Sequence, residues 1–102
     1  MKRDAAIEAL QSLQGPDGWH PSPYVTLDDD RRLWERRDGA RGLVGHVAVR
    51  ALGGNRVGWY RVRGTAIGGR GSEMVATVDG ARVEGAFRAV CGWVEVVAGT
   101  TP

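Results

Sequence analysis

Apolar and polar residues alternate along much of Arg41–Ile67, in the two runs RGLVGHVAVRAL and VGWYRVRGTAI. This alternation is typical of β-strands that bury one face. The runs are joined by Gly-Gly-Asn-Arg, and glycine and asparagine favour the positive φ angles that hairpin turns need. A loop of Gly54 and Asn55 alone, or of residues 53–56, predicts a single register. That register pairs Leu52 with Val57, Arg50 with Trp59, Ala48 with Arg61 and His46 with Arg63.

The predicted hairpin has two faces, because successive side chains of a strand point to opposite sides. The inner face is expected to be core and holds Leu43, Gly45, Val47, Val49, Ala51, Gly58, Tyr60, Val62, Gly64 and Ala66. The outer face is expected to meet solvent or a partner and holds Val44, His46, Ala48, Arg50, Leu52, Val57, Trp59, Arg61, Arg63 and Thr65. Gly45 falls opposite Gly64, and paired inward glycines let a long sheet bend sharply.

Residues 1–14 have the pattern of a short helix, with Asp4 as its N-cap. Its apolar stripe is Ala6, Ile7, Leu10 and Leu13. A helix of three turns with one narrow stripe is not stable alone, so we expect it to dock on the concave face of the sheet. Residues 15–23 (GPDGWHPSP) are predicted to be a stiff linker whose Trp19 closes the open end of the core.

Residues 24–38 (YVTLDDDRRLWERRD) fit either two short strands around an Asp-rich turn or one helix. A helix here would have only Leu33 and Trp34 as apolar residues, so we favour strands, with a tight turn at Asp38-Gly39. This pairing is expected to set Trp34 beside Leu43 on the core face. It would set Arg36 beside Arg41 on the other face, which is unfavourable unless an anion or a carboxylate lies between them.

After the flexible GGRGS stretch, the dipeptide Asp79-Gly80 is the strongest turn signal in the chain. A two-residue hairpin there places Met74, Ala76, Val78, Val83 and Phe87 on the inner face. The alternation then changes phase near Gly92, which suggests a bulge or bend there, or a strand end that is covered on both sides. The sequence therefore predicts an α+β fold in one domain, residues 1–102. An N-terminal helix precedes a five- or six-stranded, strongly curved antiparallel β-meander over residues 24–97, with a tail at 98–102.

Length and cysteine content agree with a small intracellular protein. A chain of 102 residues can bury roughly two-thirds of its unfolded surface without a disulfide, and Cys91 is its only cysteine. The N-terminus lacks the apolar run of a signal peptide, and no apolar run is long enough to cross a membrane. We therefore expect a cytoplasmic protein that does not bind membranes.

The net charge of +2 is unevenly distributed. Residues 31–70 hold ten arginines against Glu35 and Asp38, a local charge of +8, whereas the rest of the chain carries −6. A GC-rich genome can raise the arginine content together with glycine, alanine and valine. Codon bias is one explanation for the number of arginines, but it does not explain their segregation.

The sequence has little that indicates catalysis. Residues 64–72 (GTAIGGRGS) resemble a phosphate-binding loop only superficially, since an arginine replaces its lysine and a glycine replaces its Ser or Thr. The two histidines and Cys91 lack metal-ligand spacing. Cys91 lies in an apolar context that raises the pKa of a thiol, which argues against a nucleophile paired with His46. We expect a non-catalytic protein without a cofactor or metal.

The outer face of the hairpin is the candidate binding surface. It combines Arg50, Arg61, Arg63, Trp59 and His46, and Arg36, Arg41, Arg56 and Arg70 could extend it. Arginines beside an exposed aromatic ring can pair with phosphates and stack on a base, so the expected partner is nucleic acid or an acidic protein surface. Alternatively, the face is simply solvated, with Trp59 held between Arg50 and Arg61 by cation–π contacts.

Two other functions fit the same pattern. A protein–protein module, such as a small inhibitor, adaptor or assembly subunit, could use the arginines and tryptophan as its interface, or form a homodimer through a sheet edge. A small-molecule binder could enclose a pocket between the helix and a curved sheet that lacks inner side chains at its glycines. Tyr60, Trp34 and Phe87 would line that pocket.

Overall fold

The computed structural model describes residues 2–22, 30–40, 42–67 and 72–99. These residues form α1 (Arg3–Gln11), β1 (Trp19–Pro21), β2 (Arg31–Asp38), β3 (Gly42–Ala51), β4 (Trp59–Ala66), β5 (Glu73–Asp79) and α2 (Val83–Gly99). The strands pair antiparallel in chain order, β1-β2-β3-β4-β5. The predicted α+β class, the N-terminal helix and the antiparallel meander are confirmed, with five strands. The sheet is neither closed nor strongly curled.

The C-terminal element is a helix, so the prediction of strands up to residue 97 is wrong. Asp79 and Gly80 do not make a two-residue hairpin; instead the Asp79 carboxylate accepts the Arg82 backbone N–H at 3.2 Å, at the start of α2. The buried residues of this helix are Val83, Phe87, Val90, Cys91, Val94 and Ala98. Their spacing is that of a helix face, and the apparent change of phase near Gly92 is part of that helical repeat.

Helix α2 packs closely on the inner face of β3 and β4. A Cβ on Gly45 would overlap a Val94 methyl group and lie 2.7 Å from the Thr65 carbonyl oxygen, and a Cβ on Gly64 would overlap Val90. The inner glycines therefore admit the valines of α2, a role that the sequence argument assigned to sheet bending. The gap that they leave in the side-chain layer is filled by the helix.

The two faces of the β3–β4 hairpin are as predicted, but the register differs by two residues. Arg50 lies opposite Arg61, and Ala48 lies opposite Arg63. Gly45 pairs with Ala66, so the predicted Gly45–Gly64 pair does not form. The strands end earlier than expected, and residues 52–58 connect them through a 3-10 turn. A slip of two residues keeps every side chain on its face, which is why the faces survive the error.

The strand alternative is confirmed for Arg31–Asp38, while residues 23–29 lie outside the described part of the chain. The turn after β2 is longer than two residues, and a bulge lies between Arg36 and Arg37. As a result, Trp34 pairs with Val47 and Arg36 with Gly45, so the predicted Trp34–Leu43 and Arg36–Arg41 pairs are wrong.

Helix α1 docks on the same side of the sheet as α2. It begins at Arg3, so Asp4 lies in the first turn and is not the N-cap, and it ends at Gln11, before the predicted residue 14. Ala6 and Leu10 are fully buried, and the buried Tyr60 hydroxyl donates a 2.7 Å hydrogen bond to the Ala6 carbonyl. This bond joins α1 to β4.

Part of the predicted linker is strand β1, which pairs with β2 at the edge of the sheet. A strand of three residues that ends in Pro21 fits an edge position, where proline's missing N–H costs little. Trp19 is buried, as expected of a side chain that closes the core. The predicted tail begins too early, since Ala98 and Gly99 belong to α2, and residues 100–102 lie outside the described ranges.

Cys91 provides a test of how α2 packs. Burial, and secondarily the Glu95 carboxylate, raise the pKa of its thiol to about 12, as the apolar sequence context predicts. We expect iodoacetamide to modify Cys91 at least about 10-fold more slowly in the folded protein at about pH 8 than in guanidinium chloride, because the thiolate is the reactive form. Mass spectrometry over time gives both rates, and equal rates would contradict the burial of Cys91.

Candidate anion-binding site

The inner and outer faces of the sheet differ in what packs against them. Both helices pack on the inner face, whereas the outward residues of β2, β3 and β4 are exposed or half-exposed. Trp59 on β4 and Val75 on β5 are 46% and 47% exposed there. An antiparallel sheet can leave one face in water, and such a face is normally polar. The exposed tryptophan is therefore unusual.

Three arginines lie side by side on this outer face, one on each of three neighbouring strands. Arg31 of β2 pairs with Arg50 of β3, and Arg50 pairs with Arg61 of β4. We call these three residues the arginine row. All three are exposed. Adjacent strands are about 4.8 Å apart, so three backbone positions bearing positive side chains fall within about 10 Å.

Among the residues that the structure describes, few acids neutralise the arginine row. Within the described ranges, Arg31 and Arg61 form no ion pair. Arg50 lies 3.8 Å from an Asp30 carboxylate oxygen, and Arg3 shares that oxygen at 3.1 Å. The row thus offers guanidinium groups that are available to an external anion.

Arg63 and Trp59 flank Arg61 along β4, two residues away on either side. Arg63 lies 3.4 Å from the Glu73 carboxylate, so its charge is partly balanced. Trp59 forms no cation–π contact with any residue described; the one such contact in these ranges places Arg32 over Trp34, 4.9 Å from the ring centroid. A shallow depression of about 330 Å³, lined by Arg56, Trp59 and Thr77, adjoins the tryptophan.

His46 lies on the outer face, as predicted, but at the opposite end from Trp59. It pairs with Glu35 on β2 and Thr65 on β4. Four residues, or about 13 Å, separate it from Arg50 along β3. Glu35 holds Arg37 at 2.9 Å, so this end of the face is internally balanced. The structure does not bring His46 together with the arginine row.

Arg36 lies on the inner face, which corrects its predicted position. Residues two apart in a strand share a face, so Arg36 follows the buried Trp34. Its guanidinium group binds the Glu95 carboxylate of α2 and donates to the Asp17 carbonyl at 3.1 Å. The same Glu95 oxygen accepts the Trp19 indole N–H at 2.9 Å. Arg36 therefore joins β2 to α2. Arg41 and Arg70 lie outside the described residues.

This position gives Arg36 a testable structural role. We expect Arg36→Ala to lower the free energy of unfolding by about 0.5–1 kcal/mol, because a half-exposed ion pair contributes little more than its hydrogen bonds. Heparin affinity should change by less than about twofold, since no phosphate-facing charge is lost. Urea unfolding and heparin chromatography check both statements. A loss of heparin affinity equal to that of Arg61→Ala would contradict the inner position.

Sequence reasoning missed Arg31. The signal was available, because Trp34 points inward and a residue three positions away must point outward. Its alignment with Arg50 and Arg61 was not available, since it depends on the length of the turn after β2 and on the bulge at Arg36 and Arg37.

Among the residues that the structure describes, no three His, Cys, Asp or Glu side chains converge in a way that could hold a metal ion. In the same residues, neither helix has the length and apolar character needed to cross a bilayer.

Comparison with models of protein families, with curated proteins and with solved structures finds no match to this chain.

Proposed function

We propose that this protein is a small non-catalytic binding module that engages an anionic partner, a nucleic acid or an acidic protein surface, through the outer face of its sheet. The observation that carries the proposal is the arginine row. Arg31, Arg50 and Arg61 are directly opposite one another on three strands, and all three are exposed.

A row of this kind opposes folding. Like charges placed directly opposite on neighbouring strands are destabilising, and uncharged polar residues at the same positions would avoid that cost. Guanidinium groups bind phosphates and carboxylates through two parallel hydrogen bonds, so an anion across the row turns repulsion into attraction. An anionic partner would account for the arrangement, which has no role in the core.

The charge distribution along the chain supports the same function. Residues 31–70 carry +8 and the remainder −6, so positive charge is concentrated in the segment that contains β2, β3 and β4. An uneven charge distribution of this kind steers anionic partners toward one part of a molecule. We place this activity in the cytoplasm, because Cys91 is the only cysteine and the chain has no internal disulfide that would suit an oxidising compartment.

The experiment compares two variants that lose the same charge. The row variant is Arg31→Ala/Arg50→Ala/Arg61→Ala, and the control variant is Lys2→Ala/Arg82→Ala/Arg88→Ala, whose positions are exposed and lie off the outer face. Binding of each to heparin, duplex DNA and polyglutamate is measured across a salt series. We expect the row variant to lose at least about 10-fold in affinity for one polyanion, and its log K against log salt slope on DNA to fall by about 2–3 units.

Two results would count against the proposal. Equal losses in the row and control variants would mean that net charge, and not the row, determines binding. Contacts with phosphates and carboxylates are strongest at low salt, about 50 mM. If the protein binds none of the three polyanions under that condition, the proposal of an anionic partner is wrong. Circular dichroism of each variant confirms that it remains folded.

A second candidate function is favoured by strand β5. It is a seven-residue edge strand, EMVATVD, without proline, lysine or arginine, and Met74 and Val75 are 36% and 47% exposed. Edge strands are normally protected by such residues, and an unprotected one can add a strand from another chain. This edge supports a protein–protein module that forms a homodimer. A small-molecule pocket has no comparable support, because Val90 and Val94 fill the space over the inner glycines.

Light scattering tests the β5 edge independently of the arginine row. We expect the mass of a dimer at high protein concentration, and the mass of a monomer after Val75→Lys, because a lysine on an edge strand opposes pairing. A monomer at all concentrations for the unchanged chain would exclude self-association through β5.

A further inference from the structure

We infer that the anionic partner is a single-stranded nucleic acid, whose phosphates lie along the arginine row while one base stacks on Trp59. This inference rests on the proposed function and makes it more specific. It uses two observations beyond the charge: the exposure of Trp59 and the depression beside it.

Trp59 is placed to act together with the row. It lies two residues before Arg61 on the same strand and the same face, about 7 Å away along β4. Almost half of its surface is exposed, in contrast to Trp19 and Trp34, which are 3% and 1% exposed. An exposed tryptophan next to exposed arginines is the combination that single-strand binding proteins use, since stacking tolerates any base.

The neighbouring depression gives the base somewhere to lie. Its volume is about 330 Å³, and Arg56 and Thr77 line it together with Trp59. Arg56 adds a cation at its margin. Asp79 lies directly opposite Trp59 across β4 and β5, and its carboxylate accepts a hydrogen bond from the Arg82 backbone N–H. An uncharged planar group fits this environment better than a carboxylate does.

The same features separate a single strand from the other anionic partners. In a duplex, the bases are paired and stacked on each other, so a tryptophan on an open sheet face has no base plane to contact. An acidic protein surface would engage the arginines but would leave Trp59 and the depression without a partner group. Only an unpaired nucleotide uses all of these elements together.

The path of the strand follows from the register. The arginine row crosses the sheet at right angles to β2, β3 and β4, so the phosphate backbone runs across the strands toward the β4 edge of the row. Three phosphate contacts and one stacked base correspond to a site of about four nucleotides, at the short end for single-strand binding modules.

The test uses three DNA probes: oligo(dT) of eight nucleotides, an abasic oligodeoxynucleotide with the same number of phosphates, and a duplex of eight base pairs. Tryptophan fluorescence and anisotropy are recorded for the unchanged protein and for Trp59→Ala, Trp59→Phe and the control Val75→Ala. Val75 is equally exposed on the same face but cannot stack. We expect oligo(dT) to quench the fluorescence and to bind more tightly than the other probes.

The variants measure how much the stacking of a base on Trp59 contributes to binding. Trp59→Ala should weaken oligo(dT) binding by at least about 5-fold, the lower bound for one base–aromatic contact. The affinity for the abasic probe should change by less than about twofold. Trp59→Phe should keep most of the affinity and lose the quenching, and Val75→Ala should behave like the unchanged protein.

Other outcomes overturn the inference in distinguishable ways. If oligo(dT) and the abasic probe bind equally, and Trp59→Ala has no effect, base stacking is excluded while a charge-driven anionic partner stands. Tighter binding of the duplex would likewise overturn the single-strand assignment alone. If no nucleic acid probe binds but polyglutamate does, the partner is an acidic protein, and if nothing binds, the proposed function fails as well.

Discussion

Replacement of Phe87 by alanine should lower the free energy of unfolding by about 3–5 kcal/mol, the largest effect that we expect of any single substitution in α2. Phe87 is fully buried, and its ring lies 4.5 Å from that of Trp34 on β2, with the two planes tilted by 46°. The substitution removes this aromatic pair and leaves a cavity between the helix and the sheet. Urea unfolding followed by circular dichroism gives the free energy.

Val96→Ala is the matched control in the same helix. Val96 is 65% exposed, so its truncation should change the free energy of unfolding by no more than about 0.5 kcal/mol. Equal effects at the two positions would mean that α2 does not pack on the sheet through its Phe87 face. A loss greater than the total stability of the protein would appear as an unfolded spectrum, and Phe87→Leu, which removes less volume, then gives the measurable difference.

Gly45→Ala should lower the free energy of unfolding by about 1–3 kcal/mol, because a single added methyl group overpacks the contact between β3 and α2. The new Cβ would overlap Val94 and lie 2.7 Å from the Thr65 carbonyl oxygen. Valine has few χ1 alternatives, and a backbone oxygen cannot turn aside, so the strain is not easily relieved. Thermal and urea unfolding measure the loss.

The same chemical change at Gly92 should have the opposite sign. Nothing lies within 4 Å of a Cβ built there, and alanine in a helix interior is favoured over glycine by about 0.5–1 kcal/mol. The losses from Gly45→Ala and Val94→Ala should be less than additive in the double variant, since the two side chains contact each other. Similar stabilities for the Gly45 and Gly92 variants would contradict the close approach of α2.

The sequence predicted which face of each hairpin strand is buried, because alternation depends only on position along the strand. It did not predict the pairing of Arg50 with Arg61, because register is determined by the loop. The connection over residues 52–58 is longer than the glycine and asparagine signals suggested. The alignment of Arg31 with Arg50 likewise depends on the turn after β2, so Arg31 did not emerge as a site residue. The wrong face of Arg36 has another cause, because alternation from the inward Trp34 already places Arg36 on the inner face.

Helix α2 was mistaken for strands because two kinds of sequence information conflict there: the preferences of individual residues favour strands, and the spacing of the apolar residues favours a helix. Asp79-Gly80 is typical of a tight hairpin, and valine, phenylalanine and tryptophan favour strands, whereas Gly85 and Gly92 disfavour a helix. The spacing of the buried residues from Val83 to Ala98 nevertheless follows the helical period. Burial of that face against β3 and β4 outweighs the propensities, as tertiary packing commonly does.

The alternation of side chains along β4 also has an evolutionary consequence. Tyr60, Val62 and Gly64 hold the fold together, while Trp59, Arg61 and Arg63 point away from it. The even positions of this strand thus meet the requirement for a packed core, and the odd positions meet the independent requirement for a binding surface. A lineage can replace the outward set, and with it the partner, without repacking the interior. The same separation makes this sheet a scaffold on which a library randomised at outward positions would yield new binding specificities while each member keeps the parental core.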